Sequence, residues 1–273
     1  MRRADFDALI AMFLPAIIAG RVDDVEKMLN APKATAKAMA PNLADWWDLD
    51  SDSLPEDSVA VLELSGPLYS YESLWLADRV RRAEENPNIS SVVLVINGPG
   101  GMISGVDLAV SAIKECTKPT ATVVAGVMAS AHFWIGSSTD RTFIASDLSE
   151  VGSVGTMITH ISYKEYFKKN GIDFREIYPD SADLKNKEYR ALEDDGDEKP
   201  IKERLAHLHR VFCETVAENT GIAFDPEHPF FRGEMFWADQ ALEMGIVDER
   251  GNVADAIRWV LGQAIARKAN NLY

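Results

Sequence analysis

The first place in this chain where chemistry could be done is a serine set among small residues. Residues 123–136 read VVAGVMASAHFWIG, and Ser130 falls between a run suited to a buried strand and a short amphipathic helix. Val123 and Val124 are β-branched and suit a pleated, covered surface. Ala125, Gly126 and Ala129 are small, so the backbone there can lie close to another group. A serine at the start of a helix has its hydroxyl near the positive end and beside backbone N–H groups that lack partners. Such a place suits an anion. The competing role is helix capping, for which serine is a favoured residue. A second turn, NGPGG at 97–101, offers the close backbone approach and exposed amides that glycine permits. It is no nucleotide loop, because neither G-x-G-x-x-G nor Gly-Lys-Ser/Thr can be written there. If the two turns converge, the N–H groups of Gly100, Gly101 and Ala131 can form an oxyanion hole.

A serine nucleophile needs a base. The chain has five histidines. His132 lies two residues beyond Ser130, a spacing that does not bring side chains together on a helix. His160 follows a strand-like stretch and could complete a Ser-His-Asp set. His207 and His209 fall on a long helical pattern, and His228 precedes a proline. A lysine can serve instead if desolvation lowers its pKa from ~10.4 toward ~7–8. Lys185 and Lys187 are candidates, although a lysine in a charged stretch is ordinarily solvated. Ser111 and Lys114 also spell S-x-x-K, but mid-helix and without the companion motifs of penicillin-binding enzymes. No metal-binding spacing is present, so neither a catalytic metal nor a cofactor is expected.

The elements that must position these residues alternate. Strands are expected at 58–64, 91–96, 120–124, 142–145, 151–159 and 174–178. Helices are expected at 73–86, 103–115, 163–170, 200–220, 238–244 and 253–266. The apolar run SVVLVI at 91–96 reads as a strand covered on both faces. Strand, small turn and helix in repetition indicate an α/β layered domain with its loops at the strand carboxyl ends, where such sheets place their sites. Residues 179–199 are polar and charged and read as mobile.

With 273 residues and 47% hydrophobic content the chain can bury a sizeable core. A formal net charge of −15 argues against nucleic acid and anionic membrane surfaces as partners. Cys116 and Cys213 fall in helical patterns with no CxxC, so buried free thiols in a reducing compartment are expected. The apolar run 8–20 is shorter than a membrane span and is interrupted by Pro15. It reads as an amphipathic helix rather than a signal peptide. A second short helix at 23–30 and a linker at 31–52 complete an appendage of residues 1–57. Within it WWDLD, 46–50, could dock on the main body.

INGPGG (96–101), MASAHFWIGS (128–137), EVGSVGT (150–156) and SADLK (181–185) occur in that order, with SGPL (65–68) before them and FRGEMFWADQALEMGIVDE (231–249) after. Together they resemble the signal peptide peptidase A family of serine–lysine peptidases, and within it the phage prohead, or capsid assembly, proteases. The resemblance covers about residues 58–262. It implies an α/β Clp protease/crotonase-like fold of repeated β-β-α units, here with the helical appendage 1–57 before it and a short tail, 263–273, after it. It implies Ser130 as nucleophile, Lys185 as general base, Gly101 with Gly100 and Ala131 as oxyanion hole, and Ser153 as the residue that orients the lysine. Ala182 stands where the family's Ser-Gly-x-x-Lys motif has glycine, and His132 where the family has a small residue. The resemblance further implies a homo-oligomeric ring or dome in which Lys185 can act on a neighbour's Ser130, and a protein substrate. With no qualifying membrane anchor, a cytoplasmic, phage-type role on scaffold or assembly proteins is expected, rather than degradation of membrane-released peptides. A crotonase-type acyl-CoA enzyme is disfavoured because no acidic residue lies in 97–105 or 127–136. A non-catalytic assembly protein that keeps the fold is the remaining alternative.

Overall fold

The structure, a computed structural model, describes Leu49 and residues 54–270. The helices expected at 8–20 and 23–30 and most of the linker lie outside the described residues. Of WWDLD only Leu49 is described: it is buried, and Asn86 Nδ2 donates to its carbonyl at 2.7 Å.

Five strands run parallel in the order β1 (Ser58–Ser65), β2 (Ile89–Gly98), β3 (Thr120–Ala129), β4 (Arg141–Ile144) and β7 (Glu249–Arg250). Period-2 alternation sorts their side chains between two cores. Ala60, Leu62, Leu64, Val92, Leu94 and Ile96 face one core, which also holds residues of α1 (Ser70–Glu85), α2 (Val106–Glu115) and α6 (Lys199–Thr220). Val59, Val93, Val95, Ala121 and Val123 face the other, against Ala256, Ile257, Val260 and Leu261 of α8 (Val253–Asn270). A sheet covered on both faces explains the unbroken apolar run at 91–96. The fold is therefore a three-layer α/β domain, as expected.

Strand β3 changes neighbours part-way along. Ala121–Val124 pair with β4, and Val127–Ala129 pair with β5 (Glu150–Gly152). Strand β6 (Met235–Trp237) adds antiparallel to β5. Opposite β2 the register slips between Ile96 and Gly98, so that Gly98 faces Met128. The Asn97 side chain fills this slip: its Oδ1 accepts the Val127 N–H at 3.1 Å and lies where a Cβ on Gly126 would stand. The slip and the change of partner push the last residues of β3 beyond the main sheet, toward the turn at Ser130.

Two expected strands differ. Residues 174–178 form no strand, because among the described residues no neighbouring strand lies alongside to supply the ladder that a strand requires; Phe174 and Ile177 face solvent. The strand expected at 151–159 stops at Gly152, because Ser153 adopts φ 53° and ends the extended conformation. Residues 179–199 form short turns: a 3₁₀ turn at Asp180–Ala182, helix α5 (Lys187–Arg190) and a π turn at Ala191–Asp195, none with a buried residue. The last helix runs on to Asn270. Cys213 is buried in α6, whereas Cys116 caps the end of α2 and is partly exposed, its thiol donating to Glu84 at 3.2 Å.

Candidate active site

Ser130 joins β3 to α3 (Ala131–Gly136) at the carboxyl end of the sheet, with φ 55° and ψ −125°. This is the conformation of the first central position of a type II′ turn, where glycine is the comfortable residue. A serine held there stores strain on the order of 1–3 kcal/mol. Its side chain makes no cap hydrogen bond. Capping is therefore not what the serine does, and this partly exposed residue has its hydroxyl left for other chemistry.

The surroundings are over-determined, as retained strain requires. The Ser130 N–H donates to the Gly152 carbonyl at 2.9 Å, and its carbonyl accepts from Trp134 N–H at 3.0 Å. All six residues of α3 are buried. Trp134 stacks on Phe212 at 4.6 Å, and Phe133 meets Phe230 edge-on at 5.5 Å. The helix is short, as expected, and offers individual amides rather than a long dipole.

The glycine turn meets this serine as anticipated. A Cβ on Gly100 would stand 2.6 Å from Ser130 Cβ and 3.0 Å from Ala131 N, and Gly100 takes φ +92°. Among the described residues, neither the Gly101 nor the Ala131 N–H donates to a protein acceptor. The Gly100 N–H does: it donates to His132 Nδ1 at 2.9 Å. That takes Gly100 out of the set of free donors and leaves Gly101 and Ala131. His132 is 1% exposed, and burial pushes its pKa down to about 4, so the ring is neutral.

Ser153 is brought to the same place, one residue past Gly152, with its N–H donating to Glu234 O at 2.9 Å. The contribution of Glu234 and β6 went unrecognised in the sequence. Its signal was Gly152, whose φ of +128° and contact with the Glu234 carbonyl leave no room for a side chain.

Lys185 is not joined to this cluster. It sits on the turn after Asp180–Ala182, its N–H donating to Ala182 O at 3.0 Å and its side chain exposed. Ala182 is not among the residues with positive φ, so the turn accepts alanine in place of glycine. Lys187 is also exposed. His160 is bound to Glu193 at 2.7 Å. His209 lies against Cys213 Sγ at 3.6 Å, and His228 Nδ1 accepts the Phe230 N–H. Among the described residues no group of side chains could hold a metal, and no helix is long and apolar enough to cross a membrane.

A partly exposed serine between unpaired amides, at the carboxyl ends of a parallel sheet, is an arrangement capable of acyl transfer. The comparison with known families agrees. Peptidase family S49 matches residues 112–265, more than half of the chain, and the chain belongs to that family. Capsid assembly protease C of Escherichia phage lambda is 26% identical over 231 residues, covering 78% of this chain and 51% of the relative. The putative signal peptide peptidase SppA of Enterococcus faecium is 25% identical over 184 residues, covering 66% and 52%. The chain thus spans about half the length of these curated relatives. Among solved structures, the 1510-N membrane-bound stomatin-specific protease shares the fold with a TM-score of 0.51 at 13% identity, over 74% of this chain and 84% of that one.

Proposed function

We propose that this protein is a serine endopeptidase in which Ser130 is the nucleophile, Lys185 the general base, and the amides of Gly101 and Ala131 the oxyanion hole. The observation that carries this reading is Ser130 itself: strained, reachable, not capping its helix, and flanked by amides without acceptors. Neutral Lys185 takes the hydroxyl proton as Ser130 Oγ bonds to a peptide carbonyl carbon, and the carbonyl oxygen gains its charge against the two amides. The C–N bond then breaks, the departing amine receives the proton from Lys185, and an acyl-serine remains. Water attacks that ester with Lys185 again as base, releasing the carboxylate and restoring Ser130. Ser153, beside Ser130, orients the lysine.

A lysine becomes a base when it is covered. In a single chain Lys185 is open to solvent, on a segment that also exposes Met157 (80%), Ile177 (89%) and Leu184 (66%). A second copy of the chain, laid against this segment in a homo-oligomer, buries the apolar side chains and brings Lys185 to a serine of its own or of its neighbour. The likeness to the lambda protein supports scaffold or capsid assembly proteins as substrate, inside an assembling procapsid in the host cytoplasm. No cofactor is required.

The test is cleavage of fluorescently labelled casein, together with labelling of Ser130 by a fluorophosphonate. The wild type cleaves and is labelled, while Ser130→Ala and Lys185→Ala are both inactive. Unchanged cleavage in both variants overturns the mechanism. A wild type that is neither active nor labelled favours the non-catalytic assembly protein.

A further inference from the structure

His132 is a departure from the family's small residue, and its spacing from Ser130 gave it no role. Its place in the structure gives it one. The turn at 97–101 must present one amide, that of Gly101, in a fixed direction, yet it is built from residues with the freest backbones. Two successive peptide planes have to be pinned. The plane between Gly100 and Gly101 is held by Leu68, whose N–H donates to Gly100 O at 2.8 Å while Met102 N–H donates to Leu68 O at 2.8 Å. A trans peptide points its C=O and N–H in opposite directions, so this bond turns the Gly101 N–H away from Leu68. The preceding plane carries the Gly100 N–H, and its acceptor is His132 Nδ1 at 2.9 Å.

We infer that His132 is a positioning residue: its Nδ1 holds the Gly100 amide and thereby fixes the direction of the Gly101 amide toward the oxyanion. The inference rests on the peptidase reading above. The seat for the ring is specific. A Cβ on Gly98 would stand 2.8 Å from His132 Nδ1 and closer still to Cε1, so the absence of a side chain at Gly98 makes the space the imidazole occupies. The ring is buried, so no water competes for Nδ1. Since Nδ1 accepts, the neutral ring carries its proton on Nε2. The low pKa set by burial keeps that acceptor available through the neutral range. His132 does not touch the substrate; it acts through Gly100.

Leucine and asparagine have nearly the same shape, and only asparagine carries an acceptor where Nδ1 stands. The experiment measures kcat and KM on labelled casein, and the rate of fluorophosphonate reaction at Ser130, for wild type, His132→Leu and His132→Asn, with thermal melts to confirm folding. His132→Leu is expected to lose about 30–100-fold in kcat and in phosphonylation rate with KM within about 2-fold, the signature of a misdirected oxyanion donor. His132→Asn is expected to recover to within about 5-fold of wild type. A folded His132→Leu protein with wild-type kcat overturns the inference, as does a His132→Asn protein that loses as much as the leucine variant. Should His132→Leu fail to fold, the asparagine variant decides alone: near-wild-type kcat supports the inference and a loss near 100-fold overturns it. A wild type that is inactive and unlabelled overturns the peptidase reading and this inference with it; an active wild type alongside an active His132→Leu overturns only the inference.

Discussion

The two halves of the proposed dyad sit in opposite surroundings. Ser130 is held by a buried helix, by Gly152 and by a glycine turn pressed against its Cβ. Lys185 lies on an exposed segment fastened by surface pairs: His160 with Glu193 at 2.7 Å, Lys164 with Asp194 at 2.9 Å, Arg204 with Glu188 at 3.3 Å. Exposed pairs of this kind contribute roughly 0–1 kcal/mol each. In the proposed mechanism the nucleophile and its oxyanion amides thus belong to the fold of one chain, and the base awaits completion by assembly. On that proposal, separating the two would confine hydrolysis to the assembled state.

Removal of the Ser130 hydroxyl carries the largest expected effect. Ser130→Ala should lower casein cleavage by ~10⁴-fold or more. Ser130→Gly should do the same while raising unfolding stability by about 1–2 kcal/mol, because glycine accepts φ 55° without strain. A chemical melt that shows no gain would mean that Ser130 is not strained.

Next comes Lys185→Ala, expected to cost ~10²–10⁴-fold in kcat as the loss of a general base. Its effect on the melting of the single chain should stay within about 0.5 kcal/mol, since the side chain is exposed. A large destabilisation would place Lys185 in the core and erase the contrast between the two regions.

Acid should also separate them. A free histidine titrates near 6.5 and the buried His132 near about 4, so between these values the unfolded chain binds the extra proton. Stability linked to His132 is complete above about pH 6.5 and is lost as pH falls toward 4, by about 3 kcal/mol at most. Denaturant melts across pH 4–7 should show this slope in wild type and lack it in His132→Asn. Equal slopes would remove His132 from the buried cluster.

The smallest effect on folding is expected from Ile177→Ser. Ile177 is a solvent-facing residue, so monomer stability should hold within about 0.5 kcal/mol. Light scattering should nevertheless report a smaller particle, because the proposed contact between copies lies on this segment. An unchanged particle would move the interface elsewhere.

Much of the nucleophile's half could be read from the sequence. Unbroken apolar and β-branched runs gave the central strands, and small residues around Ser130 and Gly100 marked the two turns that meet. What escaped depends on geometry that periodicity does not carry. The helix rule that set His132 aside assumes that Ser130 is helical, but Ser130 lies outside the helix at φ 55°, and the ring turns toward Gly98 and Gly100 instead. Residues 174–178 carry the aromatic and β-branched residues Phe174, Ile177 and Tyr178 that suit a strand, yet a strand exists only where a neighbour pairs with it. The exposure of Lys185, by contrast, was legible in the polar and charged run 179–199 around it, where a lysine is ordinarily solvated.

The account turns on whether the amine of Lys185 reaches the hydroxyl of Ser130. The most direct measurement is the Nζ–Oγ distance in an experimental structure of the assembled protein, taken within and between copies. The account predicts one Lys185 Nζ, covered from water, at about 2.6–3.2 Å from each Ser130 Oγ. An assembly in which every Lys185 remains in solvent, and another group occupies that position, would contradict it.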